Sequence, residues 1–496
     1  MNEKDLFIQR LRRINTDELI YSFASKSIQM FKDDNYLVPI KYPDIRNGRE
    51  LICSTQLIAW DIHNIEYLSV KYSNDFRSSP QQFSLQKIVR LYRDYENTHS
   101  VASDIKNADS SDKVLSLIMG MTAEQFPFQS KSWIFEKFNR SYYILLSAED
   151  FEHRDLIDTN AILQSVLGCS ADEYIAILLI VFWLCTKSPL PLSAPESIYR
   201  KKDDTIFTKE NVRRFIEYYS CTYEELRNSK YEAQLLYSKP FIKTHKRGEY
   251  CLSSMFLVSM ILANGIYWIV RDYYHKQNSQ KFVDAFGLLF EDYIKDLARS
   301  YCNEEEWYVI PQGKTKGADF VFSLGKARLI VEAKTALLQI AGRKQVPDGE
   351  AINQFFERTI RKACEQLERS YAEICSNSDS NLVTLKVVLL YDEFSNTAII
   401  ESALRESFSI KTRCFVMTIR EFEMLLYFHH NEPEKRDEIL KIIGNGLEGL
   451  VERKSFGSVY DELELHNNPH MKGEMDYAKK MLKMFSDQLI ESDRRE

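Results

Sequence analysis

The chain lacks the cysteine arrangements that staple a small secreted fold or hold a structural zinc. Its nine cysteines are scattered through 496 residues, with no Cys-x-x-Cys pair and no Cys/His ligand spacing. That usage points to a reducing compartment and argues against a structural zinc. No basic segment followed by an apolar stretch opens the sequence, so no secretion signal is expected and the expected location is cytoplasmic. A P-loop, a Rossmann glycine fingerprint, a zinc finger and internal repeats are all missing. Any nucleotide-driven translocation must therefore come from another subunit. A basic excess is missing too: the net charge of −7 argues against nonspecific coating of nucleic acid, although local charge still sets phosphate affinity. Finally, no clean membrane span is present. Residues 174–185 are too short to cross a bilayer and begin at a Ser170-Ala-Asp-Glu173 capping box. Residues 251–270 reach the needed length but are diluted by Ser253, Ser254, Ser259, Asn264 and Gly265. Both read as buried helices.

What is present is a globular composition, 44% hydrophobic and 28% charged, in a chain too long for one core. Residues 1–235 read as mostly helical, a regulatory or recognition region. Helices are expected to begin near Thr16, Ser54, Ser84, Asp112 and Ser170, and a Thr222-Tyr-Glu-Glu225 box opens another. The polar residues 100–111 read as an internal linker or an exposed loop. Residues 236–279 read as a hairpin and connecting helix, 280–430 as an α/β domain, and 431–496 as a charged helical tail broken by Pro433 and Pro469. The tail suits a solvated helical pair or an oligomerisation arm. A fragment starting near Asn278 is expected to hold enough apolar surface for its own core.

The chemistry concentrates in a short stretch. Gly317-Ala-Asp319 precedes a β-rich Phe-Val-Phe, a turn at Gly325-Lys326 leads to Leu329-Ile-Val331, and Glu332-Ala-Lys334 follows. Alternation along a strand puts Glu332 and Lys334 on one face, with Val331 and Ala333 on the other. If the strands pair as a hairpin, Asp319 meets that carboxylate and ammonium at one edge. Two carboxylates and a lysine there make a site for a hard divalent cation and a phosphodiester. The bland alternative is an exposed Glu332–Lys334 ion pair beside a turn aspartate.

This constellation resembles the PD-(D/E)xK, or restriction-endonuclease-like, nuclease superfamily over roughly residues 282–425. Ala318 stands where that pattern has proline. The resemblance implies a mixed-sheet α/β nuclease domain preceded by a helical region. It implies Mg²⁺ or Mn²⁺ held by Asp319, Glu332 and the Ala333 backbone carbonyl, with Lys334 acting in catalysis. A helix before the sheet supplies Glu291, a further candidate ligand, and a helix after it supplies Gln366, with Gln354 as a rival. Apolar residues Phe286, Leu289, Phe290, Tyr293, Ile294 and Leu297 recur at helical spacing around Glu291. Lys314, Lys316, Lys326, Arg328, Arg343 and Lys344 form a basic cluster expected to contact phosphates. The implied activity is a Mg²⁺-dependent endonuclease, with DNA ahead of RNA as substrate, in bacterial anti-phage defence or restriction. A partner protein or a second copy through the helical regions is a further expectation. The competing reading is a catalytically silent nuclease-like fold serving as a nucleic-acid-binding or scaffold module.

Overall fold

Apolar runs at Phe320-Val-Phe322, Leu329-Ile-Val331, Val387-Val-Leu-Leu390 and Phe415-Val-Met417 are too continuous for strands wet on one face. In the computed structural model they form four of the strands of a five-stranded mixed sheet covered on both sides. The structure describes residues 3–46, 49–72, 83–98, 132–194, 209–245, 248–313, 316–336, 354–376, 382–391, 401, 414–447 and 454–471. The expected helix near Asp112 and the loop at 100–111 lie outside these residues.

The N-terminal part holds α1 (Glu3–Leu11), α2 (Thr16–Lys32), α3 (Asp61–Tyr72), α4 (Leu85–Thr98), α5 (Ser132–Tyr142), α6 (Thr159–Leu167), α7 (Ala171–Lys187), α8 (Lys209–Tyr218) and α9 (Tyr223–Asn228). Reciprocal capping boxes at Ser170/Glu173 and Thr222/Glu225 start α7 and α9, as their sequences predict. Ser54 does not start a helix. It lies in β2 (Arg49–Ile58), which pairs antiparallel with β1 (Leu37–Arg46). Ile52, Thr55 and Ile58 are β-branched, and exposure alternates from residue 52 to 57 once β1 pairs with them, so a strand wins over a helix there. A small sheet follows: β3 (Ser220–Thr222), then β4 (Phe241–Lys243) and β5 (Tyr250–Leu252) as the expected hairpin. The turn α10 (Leu235–Ser238) precedes it, and α11 (Met255–Lys276) leaves it. Among the described residues α11 alone is by itself long and apolar enough to span a bilayer, and most of that stretch is buried inside the protein.

The main sheet comprises β6 (Trp307–Val309), β7 (Phe320–Leu324), β8 (Ala327–Lys334), β9 (Val383–Leu390) and β10 (Cys414–Thr418), side by side in that order. The β6–β7–β8 pairs are antiparallel, and β8–β9 and β9–β10 are parallel. Gly325 turns the β7–β8 hairpin at φ +61°, a conformation other residues adopt only with strain. One face of the sheet packs on α13 (Lys362–Ser376) through Ile330, Val388, Leu390, Ala363 and Leu367. The other packs on α12 (Lys281–Tyr301) and α14 (Ile419–Asn431). The chain is thus mixed α/β.

The core on the α12 and α14 face crosses residues 235 and 280. A single buried cluster runs from Phe7 through Tyr174, Leu252, Tyr267 and Phe290 to Phe422. It continues into α15 (Pro433–Leu447) and α16 (Phe456–Glu462), burying Ile439, Ile443, Phe456, Val459 and Tyr460. The described part of the tail is therefore packed into the protein rather than solvated. Its apolar residues recur at helical spacing between the charges, which gives one face enough area to dock.

Candidate active site

The β7–β8 register sets the site. Phe320 pairs with Val331 and Leu324 with Ala327, so Asp319, just ahead of β7, lies beside the end of β8. Its backbone extends the ladder: the Asp319 amide donates to Val331 O at 3.0 Å, and its carbonyl accepts from the Ile310 amide at 2.9 Å. Its side chain is buried, and Oδ2 accepts from the Ala333 amide at 2.9 Å. Ala333 thus contributes its N–H to Asp319.

Glu332 and Lys334 share the face that α13 covers. The Lys334 ammonium bonds Glu332 Oε1 and also donates to Gln366 Oε1 at 3.1 Å. Gln366, not Gln354, is thus the glutamine that α13 places here. Its Nε2 donates to Gly317 O at 3.0 Å, tying the loop before Asp319 to the lysine. Ser370, one helical turn further along, accepts from the Ala318 amide at 2.8 Å. A Cβ on Gly317 would sit 2.7 Å from that hydroxyl, so a side chain there would force Ser370 out of this bond. Gln312 completes the loop, accepting from the Gly317 amide at 3.2 Å and donating to Ala318 O at 3.2 Å. Ser370 was legible as the position four residues after Gln366. Gln312 carries no local signal.

Within this site electrostatics set Glu332 apart, although Glu66 in the helical part is likewise wholly buried with one oxygen unpartnered. Glu332 is wholly buried, and its Oε2 has no hydrogen-bond partner. Burial first, then the Asp319 charge, push its carboxyl up to about 8, against the opposing pull of Lys334 and Lys316. Glu291 on α12 is half-buried and is also raised, by burial and by Asp319, with Lys316 and Lys295 opposing. Both glutamates therefore feel the Asp319 charge at the end of the sheet, and adding a proton or a cation relieves them.

The basic cluster divides. Lys316 is exposed and acts on both Glu291 and Glu332. Lys326 and Arg328 belong to the turn end of the hairpin, where Arg328 pairs with Ser323. Six residues separate Arg328 from Lys334, roughly 20 Å along a strand, so these two do not line the site. A hairpin brings together residues that face each other across it and sends the turn to the far end. Lys314, Arg343 and Lys344 lie outside the described residues.

At two other places three ligand-type atoms already lie within 4.8 Å of one another: Cys302, Glu306 and His429, and Glu152, His153 and Asp292. Each already carries a protein cation. Arg436 Nη1 is 2.8 Å from His429 Nδ1, and Lys295 Nζ is 3.0 Å from Asp292 Oδ1 and 3.3 Å from Glu152 Oε2. Asp319, Glu332 and Glu291 do not converge that closely. They do fit a hard cation on other grounds: an orphaned carboxylate oxygen, a second acid beside it, and oxygen donors throughout. No family model matches the chain, and no curated protein and no solved structure matches it either.

Proposed function

We propose that this chain is a metal-dependent endonuclease that hydrolyses phosphodiester bonds of nucleic acid, DNA ahead of RNA, similar to PD-(D/E)xK nucleases. Bacterial restriction or anti-phage defence in the cytoplasm is the setting this reading favours. One observation carries it: Glu332 keeps a buried oxygen unpartnered next to Asp319, while Lys334 and Gln366 stand on the same face. A structural ion pair would saturate both oxygens or lie in solvent.

In this reading Asp319 and Glu332 hold the ion, with Glu291 and the Ala333 carbonyl as further oxygen donors. Bound Mg²⁺ or Mn²⁺ would supply Lewis acidity, an acidified water and charge neutralisation at the leaving group. Glu332 would hold the ion in its ionised form, whose cost beside Asp319 in a buried place the positive charge would offset. Lys334 then offers a compact ammonium to the charge that grows on the phosphate oxygens. Gln366 holds that ammonium in place and is itself anchored on the Gly317 carbonyl. Lys316, exposed at the rim, adds local positive charge for the substrate backbone.

The test is a cleavage assay of purified full-length protein on plasmid DNA and on structured RNA, with Mg²⁺, Mn²⁺ or EDTA. Metal-dependent cuts that disappear in Asp319→Ala support the reading. Binding of nucleic acid without cleavage under any metal would leave the silent binding module in its place.

A further inference from the structure

Residues of the helical part reach the candidate site through a buried polar network. Arg140, on α5, is 1% exposed, and it grips Glu423 on α14 with two bonds, Nε to Oε1 at 2.6 Å and Nη2 to Oε2 at 2.8 Å. The same Oε1 accepts the Tyr293 hydroxyl at 2.7 Å. Oε2 also accepts from Asn468 Nδ2 at 2.6 Å. Tyr293 sits on α12 two residues after Glu291, so it lies on a different side of that helix. Anchoring it fixes the helix's rotation about its own axis. The neighbouring residue of α5, Ser141, meets the Tyr391 hydroxyl at 3.2 Å. Tyr391 donates its amide to the Lys334 carbonyl at 2.9 Å and packs its ring on Phe286 and Phe290 of α12.

We propose that the Arg140–Glu423 pair is a positioning element: through the Tyr293 hydroxyl it sets the rotation of α12, and so the reach of Glu291 toward Asp319. Side chains lie about 5–6 Å from a helix axis, so a 15° rotation moves a carboxylate by roughly 1.5 Å. Displacement on the scale of 1 Å costs a reaction about a hundredfold. The inference rests on the metal-site reading for its consequence, but not for its geometry.

The experiment uses two double variants of the full chain, both free of a lone buried charge. Arg140→Met/Glu423→Leu removes the carboxylate acceptor of the Tyr293 hydroxyl and leaves it only the longer contact to His470 Nε2, at 3.3 Å. Arg140→Met/Glu423→Gln keeps a neutral acceptor there. Hydrogen exchange of the α12 amides is measured first, then Mn²⁺ affinity and cleavage. The Leu variant is expected to exchange faster around residues 289–294, to bind Mn²⁺ about tenfold more weakly and to turn over about a hundredfold more slowly. The Gln variant, and wild type, should remain close to each other in all three. Tyr293→Phe, which deletes only the hydroxyl, should repeat the Leu variant's changes. Unchanged α12 exchange in both the Leu variant and Tyr293→Phe overturns the inference. So does changed exchange with wild-type Mn²⁺ affinity and turnover. Failure of wild type to bind Mn²⁺ would instead remove the metal reading, leaving the exchange data to decide the positioning.

Discussion

Of the three wholly buried glutamates among the described residues, Glu423 and Glu332 mark two regions that treat the side chain in opposite ways, while Glu66 bonds Ser253 through one oxygen and leaves the other unpartnered. Glu423, in the joint between α5, α12 and α14, accepts two bonds from Arg140 and one each from Tyr293 and Asn468. Burial works against its charge, yet the Arg140 guanidinium beside it holds its carboxyl below the usual carboxylate range. Glu332, at the end of β8, has one oxygen on Lys334 and the other on nothing, and is pushed up to about 8. The same side chain at the same depth is saturated in the joint and left one partner short at the end of β8, where a second acid lies beside it. An incomplete buried carboxylate costs stability; what separates Glu332 from Glu66 is the acid and the lysine beside it, and that combination points to a use.

The comparison breaks most sharply at the acids of β7 and β8. Asp319→Ala and Glu332→Ala should each lower metal-dependent cleavage on the order of 10⁴-fold and weaken metal binding while leaving the thermal transition in place. Calorimetry with unchanged metal affinity in both would sink the assignment. At the other glutamate the loss should fall on folding instead. Arg140→Met alone strands the Glu423 charge and should cost about 3–5 kcal/mol in urea unfolding, while Arg140→Met/Glu423→Leu should recover most of it. For the same reason a fragment starting near Asn278, which lacks Arg140 and Tyr267, should fail to show a cooperative transition, contrary to the sequence-based expectation.

Lys334→Ala should keep metal affinity and lose about 10²–10³-fold in turnover. Lys334→Arg should also be poor, because a planar fork does not reproduce a compact ammonium. Near-normal turnover in both would reduce Lys334 to half of an ion pair. A pH series sharpens the contrast further. Glu332 ionises near 4.5 when unfolded and near 8 when folded. Its effect on stability is therefore nil below about 4.5, where both states hold the proton. It becomes unfavourable as pH rises toward 8, where only the unfolded state has lost it. Glu332→Gln should remove that decline and gain on the order of 2–4 kcal/mol over wild type at pH 9 without divalent metal. A gain independent of pH would contradict the shift. Glu423 predicts the opposite sign, with stability lost as pH falls through its depressed range. The smallest effect concerns the divided basic cluster. Lys316→Ala should weaken substrate binding about threefold and lower the salt slope by about one, whereas Lys326→Ala and Arg328→Ala should leave both unchanged.

Local sequence was enough for the pieces that depend on neighbours. Alternation gave Glu332 and Lys334 a common face, the Gly325 turn made the hairpin, and the stripe from Phe286 to Leu297 made α12. The capping boxes at Ser170 and Thr222 opened their helices where expected. Each of these is settled within a few residues, by backbone sterics, hydrogen-bond geometry or periodicity. Ser54 was misread because a short apolar run fits a helix or a strand until a partner strand claims it.

The tertiary structure decided the rest. Whether Gln366 or Gln354 met Lys334 depended on how α13 seats on the sheet. The far placement of Lys326 and Arg328 followed from the register of the pairing. The partnership of Arg140 with Glu423 spans 283 positions, and no local pattern announces it. The unpaired oxygen of Glu332 arises only once both faces of the sheet are covered and water is excluded. Periodicity tells which side chains share a face, but desolvation and long-range pairing belong to the whole fold, because they depend on what every other segment packs against that face.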